Sequence, residues 1–275
     1  MAFYLKEVRR FAEWAEKEGR PAGAPGDLLA VARQDAEAYF TALADEGRAK
    51  STMRSRWISL RSFYRWAVED DELDESPLAR VHVPKANPPP VAVINADDIS
   101  RLLRTCAGRD FADRRDAAII SLLHATGMRV SEACGLQLED IDLVQRVALI
   151  HGKGDKDRVV RFDPKTAAHL DRYKRARARH SYASSPRFFL GYRGPLGRNG
   201  VGSMLQKRAA EAGITHVWPH KFRHTFADRW LSSGGSEGDL QRLGGWENAE
   251  IMRRYGASRA TDRALKAYDN ILGDT

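Results

Sequence analysis

Apolar residues recur along the first third of the chain with the three-to-four-residue spacing of amphipathic helices. Leu5, Val8, Phe11, Ala12 and Ala15 predict a helix over Phe3–Glu18, and Leu29, Ala32, Ala36, Tyr39, Phe40 and Leu43 a second over Leu28–Ala44. Met53, Trp57, Leu60, Tyr64 and Ala67 continue the pattern after a Ser51-Thr52 start signal, with 19–26 and 45–47 as connections. The expectation is a small all-helical domain of about four helices.

Residues 84–90, Pro-Lys-Ala-Asn-Pro-Pro-Pro, cannot propagate a helix and read as an extended linker. Domains of 1–84 and 93–275, joined by 85–92, are expected. The second part mixes patterns. Helices are predicted over 97–106, 114–123, 129–135, 165–179, 202–212, 221–232, 239–243, 249–255 and 261–272. Arg146–Ile150 and Arg158–Phe162 are β-branched runs around Gly152-Lys153-Gly154-Asp155-Lys156, which reads as a hairpin tip. The fold class is mainly α with a small β-sheet: a helical domain followed by a mixed α/β domain.

Composition narrows the class. With 275 residues, 43% hydrophobic and 30% charged, the chain is an ordinary globular protein rather than collagen, coiled coil or disordered polymer. Cys106 and Cys134 lack the spacing of a disulfide scaffold or a cysteine zinc site. The N-terminus lacks a signal-peptide core, and the longest apolar run, Ala117–Leu123, falls far short of the ~20 residues that span a bilayer. A cytoplasmic protein without a membrane partner is expected.

The net charge of +8 is unevenly spread: residues 1–90 hold 14 basic and 15 acidic residues, residues 91–275 hold 31 and 22. The near-neutral first part still contains an acid-free stretch, in which Lys50, Arg54, Arg61 and Arg65 fall on one helical stripe. Such a stripe is either a solvated face or a set of phosphate contacts.

Several familiar chemistries find no support. Gly152-Lys153-Gly154 lacks the rest of a phosphate loop, no GxSxG elbow occurs, and Pro219 interrupts the four-residue spacing of His216, His220 and His224. Acids such as Asp97-Asp98 and Asp113/Asp116 read as caps and solvated faces. What remains is a scatter of cations followed by a tyrosine: Arg129 in ATGMRVSEACGL, Lys153 at the hairpin tip, His220 and Arg223 in PHKFRHTFA, and Trp246 nine residues before Tyr255. Each has an ordinary reading alone: Arg and His as surface or capping residues, Lys153 as a solvated turn residue, Trp246 as a packing anchor, Tyr255 as a stacking partner of Arg253-Arg254.

Taken in order, these residues resemble the tyrosine recombinase (phage integrase) family, whose signature is Arg, Lys, His-x-x-Arg, His or Trp, and then Tyr. The resemblance extends through Thr52–Arg65 and Ser76-Pro77-Leu78 and so covers nearly the whole chain. It implies a core-binding helical domain, a catalytic domain of tyrosine recombinase type, and site-specific cutting and rejoining of DNA through a covalent 3′-phosphotyrosyl intermediate and a Holliday junction, with neither metal nor cofactor. In that scheme Tyr255 is the nucleophile, and Arg129 and Arg223 bind the non-bridging phosphate oxygens. His220 hydrogen-bonds the phosphate, Lys153 protonates the departing 5′-oxygen, Trp246 donates its indole N–H, and Glu132 orients Arg129 or His220. Lys50, Arg54, Arg61 and Arg65 lie on DNA, the two parts clamp the duplex, and the helix near 261–272 packs between protomers of a synaptic tetramer. Tyr268 lacks the spacing of a nucleophile.

Trp246 in place of the commoner histidine, and Gly256-Ala257 after Tyr255, favour a short phage or mobile-element integrase over a Xer-type dimer resolvase. With a helix starting within ten residues of Met1, no arm-binding domain is expected, and the partners are double-stranded core sites and a directionality factor. A type IB-like topoisomerase, a non-catalytic DNA-binding regulator and a metal-dependent nuclease are the remaining alternatives.

Overall fold

The computed structural model of the chain describes residues 2–21, 24–83, 92–152, 157–246, 265 and 268. Contacts divide it into two compact units, Met1–Pro89 and Pro90–Thr275.

The first unit contains α1 (Ala2–Lys17), α2 (Arg33–Asp45) and α3 (Lys50–Glu69). Phe11, Tyr39, Leu60 and Tyr64 form its centre, and Leu78, Val81 and Val83 pack onto it. Two features depart from the periodicity. The second helix begins at Arg33, not Leu28, because carboxylates capture the backbone ahead of it: Asp27 accepts the Leu29 N–H at 3.0 Å and Asp35 the Ala32 N–H at 3.0 Å. Three helices, rather than about four, are found among the described residues. Asp71 turns left-handed (φ 58°) after α3, and the chain continues through turns that bury Leu78 without another helix.

The second unit contains α4 (Ala96–Arg104), α5 (Phe111–Thr126), α6 (Val130–Gly135), β1 (Ile141–Asp142), β2 (Val147–Ile150), β3 (Arg158–Arg161), α7 (Pro164–Arg177), β4 (Leu190–Gly191), β5 (Gly194–Pro195), α8 (Arg198–Glu211), α9 (Pro219–Ser232) and α10 (Glu237–Gly244). Short polar side chains set several of the starts. Asn95, Asp110, Asp163 and Ser236 each accept the backbone N–H three residues on, at 2.7 to 3.0 Å. The centre is α5, against which α4, α7 and α9 pack. Its run from Ala117 to Leu123 is buried on every side. β1, β2 and β3 form an antiparallel sheet in that order, pairing Ile141 with Ala148 and Ala148 with Val160; β4 and β5 form a separate hairpin. Strands of two residues leave no periodicity to read. α8 starts four residues before the expected Gly202, since burial of Val201 and Leu205 overrides the low helix propensity of Gly200 and Gly202.

The expected helix at 249–255 lies outside the described residues. Of 261–272 only Leu265 and Tyr268 are described, both helical and exposed. No described helix is long and apolar enough to cross a membrane.

Buried charge braces the unit. Arg208, 5% exposed, donates to Asp116 at 2.9 Å, Asp113 at 2.7 Å and the Thr105 carbonyl at 2.7 Å, tying α8 to α5 and the end of α4. Removing one partner of a buried pair strands the other, at a cost of about 3–5 kcal/mol. Arg208→Met should therefore lower the unfolding free energy by about 3 kcal/mol in a denaturant titration; a change below about 0.5 kcal/mol, the usual effect at an unremarkable surface position, would show that the network does not brace the unit.

Candidate active site

Arg129, Glu132, Arg223 and Trp246 are brought together at the C-terminal end of α10. Arg129 precedes α6, and Glu132, in its first turn, accepts the Arg129 backbone N–H at 2.7 Å and its guanidinium at 2.9 Å. Arg223 sits one turn into α9. It is 4% exposed, donates to the Gly127 carbonyl at 2.9 Å and the Gly244 carbonyl at 2.6 Å, and lies 3.7 Å above the Trp246 ring.

Two glycine positions make this packing possible. Gly127 closes α5 in the left-handed region (φ 60°), and a Cβ there would overlap the Phe226 ring. At Gly244 a Cβ would occupy the space of the Trp246 ring itself.

Arg158 joins the cluster and was not singled out in the sequence. On β3 it donates two hydrogen bonds to Glu132, at 2.7 and 3.1 Å, and a third to the Leu243 carbonyl at 2.9 Å. Its signal was present: in a strand where Val160 faces the core, residue 158 shares that face, and an arginine there needs a counter-charge. Arg129 meanwhile donates to the Gly245 carbonyl at 2.8 Å. Three guanidiniums thus bind three consecutive carbonyls, 243, 244 and 245, at the end of α10, where the helix dipole concentrates partial negative charge.

Glu132 is the carboxylate of this cluster. Burial pushes it up, but the hydrogen bonds from Arg158 and the Arg129 backbone outweigh burial and hold it below its ordinary 4.5. It stays ionised at neutral pH. The cluster borders a cleft of about 960 Å³ that also includes His151. His151 bonds Asp157 at 2.8 Å and Asp140 at 3.1 Å, and these carboxylates raise its pKa.

The other expected residues lie as follows. His220 is exposed in the first turn of α9, one turn before Arg223, with its ring 6.5 Å from that of His224. His216 lies outside the helix in a left-handed conformation (φ 58°), and Pro219 is the first helical residue. Among the described residues no three His, Cys, Asp or Glu side chains are grouped to hold a metal. Lys153 and Tyr255 lie outside the described residues. In the first unit Lys50, Arg54, Arg61 and Arg65 are all exposed on α3. Arg54 and Arg61 flank the Trp57 ring at 5.2 and 5.0 Å, and Arg65 lies 3.6 Å from Glu69. Arg56 instead turns inward, to Glu7 at 3.3 Å and the Tyr39 hydroxyl at 3.0 Å.

A carboxylate whose pKa is depressed on folding contributes stability that is complete above its unfolded pKa and is lost as the pH falls through the folded value. Wild type should therefore lose its stability advantage over Glu132→Gln as the pH drops below about 4.5 in pH-dependent thermal melts. A stability difference independent of pH would contradict the ionised Glu132 pairing.

Residues 92–262 match the phage integrase family, and residues 1–71 match the phage integrase N-terminal SAM-like domain. The tyrosine recombinase XerC of Corynebacterium efficiens is 31% identical over 245 residues, covering 88% of this chain and 78% of that protein. XerD of Bifidobacterium longum is 31% identical, with 92% and 84% covered. Among solved structures, the Tn1549 transposon integrase in complex with transposon right end DNA aligns with a TM-score of 0.77 at 21% identity, over 98% of this chain and 93% of that one. The XerH recombinase bound to a palindromic difH substrate gives 0.77 at 18% identity, over 96% and 78%. These likenesses support the mainly helical fold with its small antiparallel sheets, and the chain belongs to the phage integrase family of tyrosine recombinases, which are site-specific, DNA strand-transferring enzymes.

Proposed function

We propose that the chain cuts and rejoins duplex DNA at short core sites through a 3′-phosphotyrosyl intermediate on Tyr255. The observation that carries this reading is the convergence of Arg129 and Arg223 on the Gly244–Gly245 carbonyls beside Trp246, nine residues before Tyr255. A phosphodiester under attack gathers negative charge on its non-bridging oxygens, and two permanently charged, fork-shaped guanidiniums suit that geometry better than lysine. In this reading the phosphate oxygens take up donors of Arg129 and Arg223 that now face carbonyls.

The Tyr255 phenol, with an ordinary pKa of about 10, attacks phosphorus. The bond to the 5′-oxygen breaks, Lys153 donates a proton to that oxygen, and His220 assists proton movement at the tyrosine. Trp246 covers Arg223, and Glu132 holds Arg129. The new ester keeps the energy of the phosphodiester, so a 5′-hydroxyl from a partner strand reverses the step and completes strand exchange through a Holliday junction.

The exposed arginines of α3 supply phosphate contacts from the first unit, and synapsis brings four copies together in the cytoplasm, with a directionality factor as a further partner. Two biological settings fit. Trp246 and the residues after Tyr255 favour a mobile-element integrase, whereas the names of the curated relatives, XerC and XerD, favour dimer resolution.

The test is a nicked suicide duplex carrying the site that the protein itself selects from random duplexes, incubated in EDTA. Wild type should form a covalent protein–DNA adduct, and Tyr255→Phe should form none. An adduct that persists in the variant, or none with wild type, overturns the assignment.

A further inference from the structure

A second cleft of the catalytic unit carries charge that the strand-transfer chemistry does not use. It measures about 940 Å³ and lies between two rows of arginine. One row is Arg104, Arg109 and Arg114, from the end of α4 through the connecting loop into α5; the other is Arg172, Arg175 and Arg179, on the last turns of α7 and just beyond. Among the described residues no carboxylate lines the cleft. Arg175 pairs with Asp171 at 2.5 Å, and among the described residues no carboxylate lies within ion-pair distance of the other five.

The remaining lining adds no negative charge. Burial pushes the Cys106 thiol up to about 11, so it stays protonated, and its wall is shared with Leu103 and Ala117. His169 bonds the Ser121 hydroxyl at 2.6 Å, and burial followed by Arg172 pushes its pKa down, so its imidazole is neutral at pH 7. Five guanidiniums lining one cleft without a paired carboxylate concentrate positive potential there and favour an anion among them.

Shape selects the anion. Arg172 and Arg175 lie one turn apart at the end of α7 and Arg179 follows just beyond it, opposite Arg104, Arg109 and Arg114, so the charge is drawn out along the cleft rather than gathered at one point. A linear polyanion carries its charges in succession, so a drawn-out row of guanidiniums suits successive phosphates of one chain. A compact single anion would leave most of the row unused. The cleft is also separate from the arginine cluster at α10: along α5, Arg114 and Gly127 are 13 positions apart in sequence, about 20 Å of helix.

We propose that this arginine-walled groove is a second phosphate-binding site, which holds the phosphate backbone of a linear polyanion about 20 Å from the strand-transfer centre. Its two possible sources are a DNA strand beyond the cleaved position and free inorganic polyphosphate. The groove itself does not depend on the recombinase assignment; only the choice of DNA as source does.

The triple variant Arg104→Gln, Arg172→Gln, Arg179→Gln tests this, with an unchanged thermal melt as the folding control. For site-bearing duplex, the slope of log affinity against log salt should become shallower by about 2.7, at roughly 0.9 per lost phosphate contact. Adduct formation on saturating nicked duplex should remain at the wild-type level, so failure of the groove and failure of the catalytic assignment read out separately. A slope that does not change, together with calorimetric binding of inorganic tripolyphosphate to wild type but not to the variant, identifies free polyphosphate as the source. Unchanged slope and no tripolyphosphate binding to wild type overturn the proposal.

Discussion

Guanidinium groups gathered at one point repel one another, yet a site that meets a phosphate must gather them without neutralising them. At the end of α10 this conflict is resolved by three backbone carbonyls and a single carboxylate that pairs with two of the three guanidiniums. Arg158, Arg223 and Arg129 donate to the carbonyls of 243, 244 and 245, and Glu132 pairs with Arg158 and Arg129. Carbonyls hold geometry while carrying no net charge, so the cluster keeps positive charge to offer. Much else in the unit follows from that arrangement. Gly244 has no Cβ because Trp246 lies where one would be, Gly127 turns left-handed to present its carbonyl to Arg223, and β3 positions Arg158 behind Glu132.

Sequence reading reached the helices best where two signals coincided. Helices expected from 97, 114 and 165 are found from Ala96, Phe111 and Pro164, where the apolar runs coincide with Asn95, Asp110 and Asp163 caps that the structure reveals. It did less well where local bonds or tertiary burial overrode periodicity, as at Leu28–Ala32 and at the start of α8. The candidate site was legible through order and spacing of residue types, with Arg129 and Arg223 as isolated cations 94 positions apart in sequence. Their shared partners were not legible, because backbone carbonyls have no letter in a sequence. Arg158 was overlooked for a related reason: only the inward face of its strand distinguishes it from its many basic neighbours.

The excess charge also acquires a location. Part of the surplus in residues 91–275 belongs to the cluster at α10. Another part forms the groove, whose arginines are scattered from position 104 to position 179 and assembled only by the packing of α7 beside α5. A chain that concentrates cations twice within one unit must brace them, and buried Arg208 with Asp113 and Asp116 supplies rigid contacts next to the groove, in the same α4–α5 region.

In the proposed reaction Arg129 and Arg223 compensate charge on the scissile phosphate. A site-bearing nicked duplex with a neutral methylphosphonate at the scissile position removes that charge from the substrate. On the ordinary phosphate, Arg223→Ala should slow adduct formation by about 100-fold, the usual cost of one lost oxyanion donor. On the methylphosphonate, the gap between wild type and variant should shrink to less than about tenfold, a loss of at least 1.4 kcal/mol of differential stabilisation. An equal defect on both substrates would contradict charge compensation as the role of the cluster.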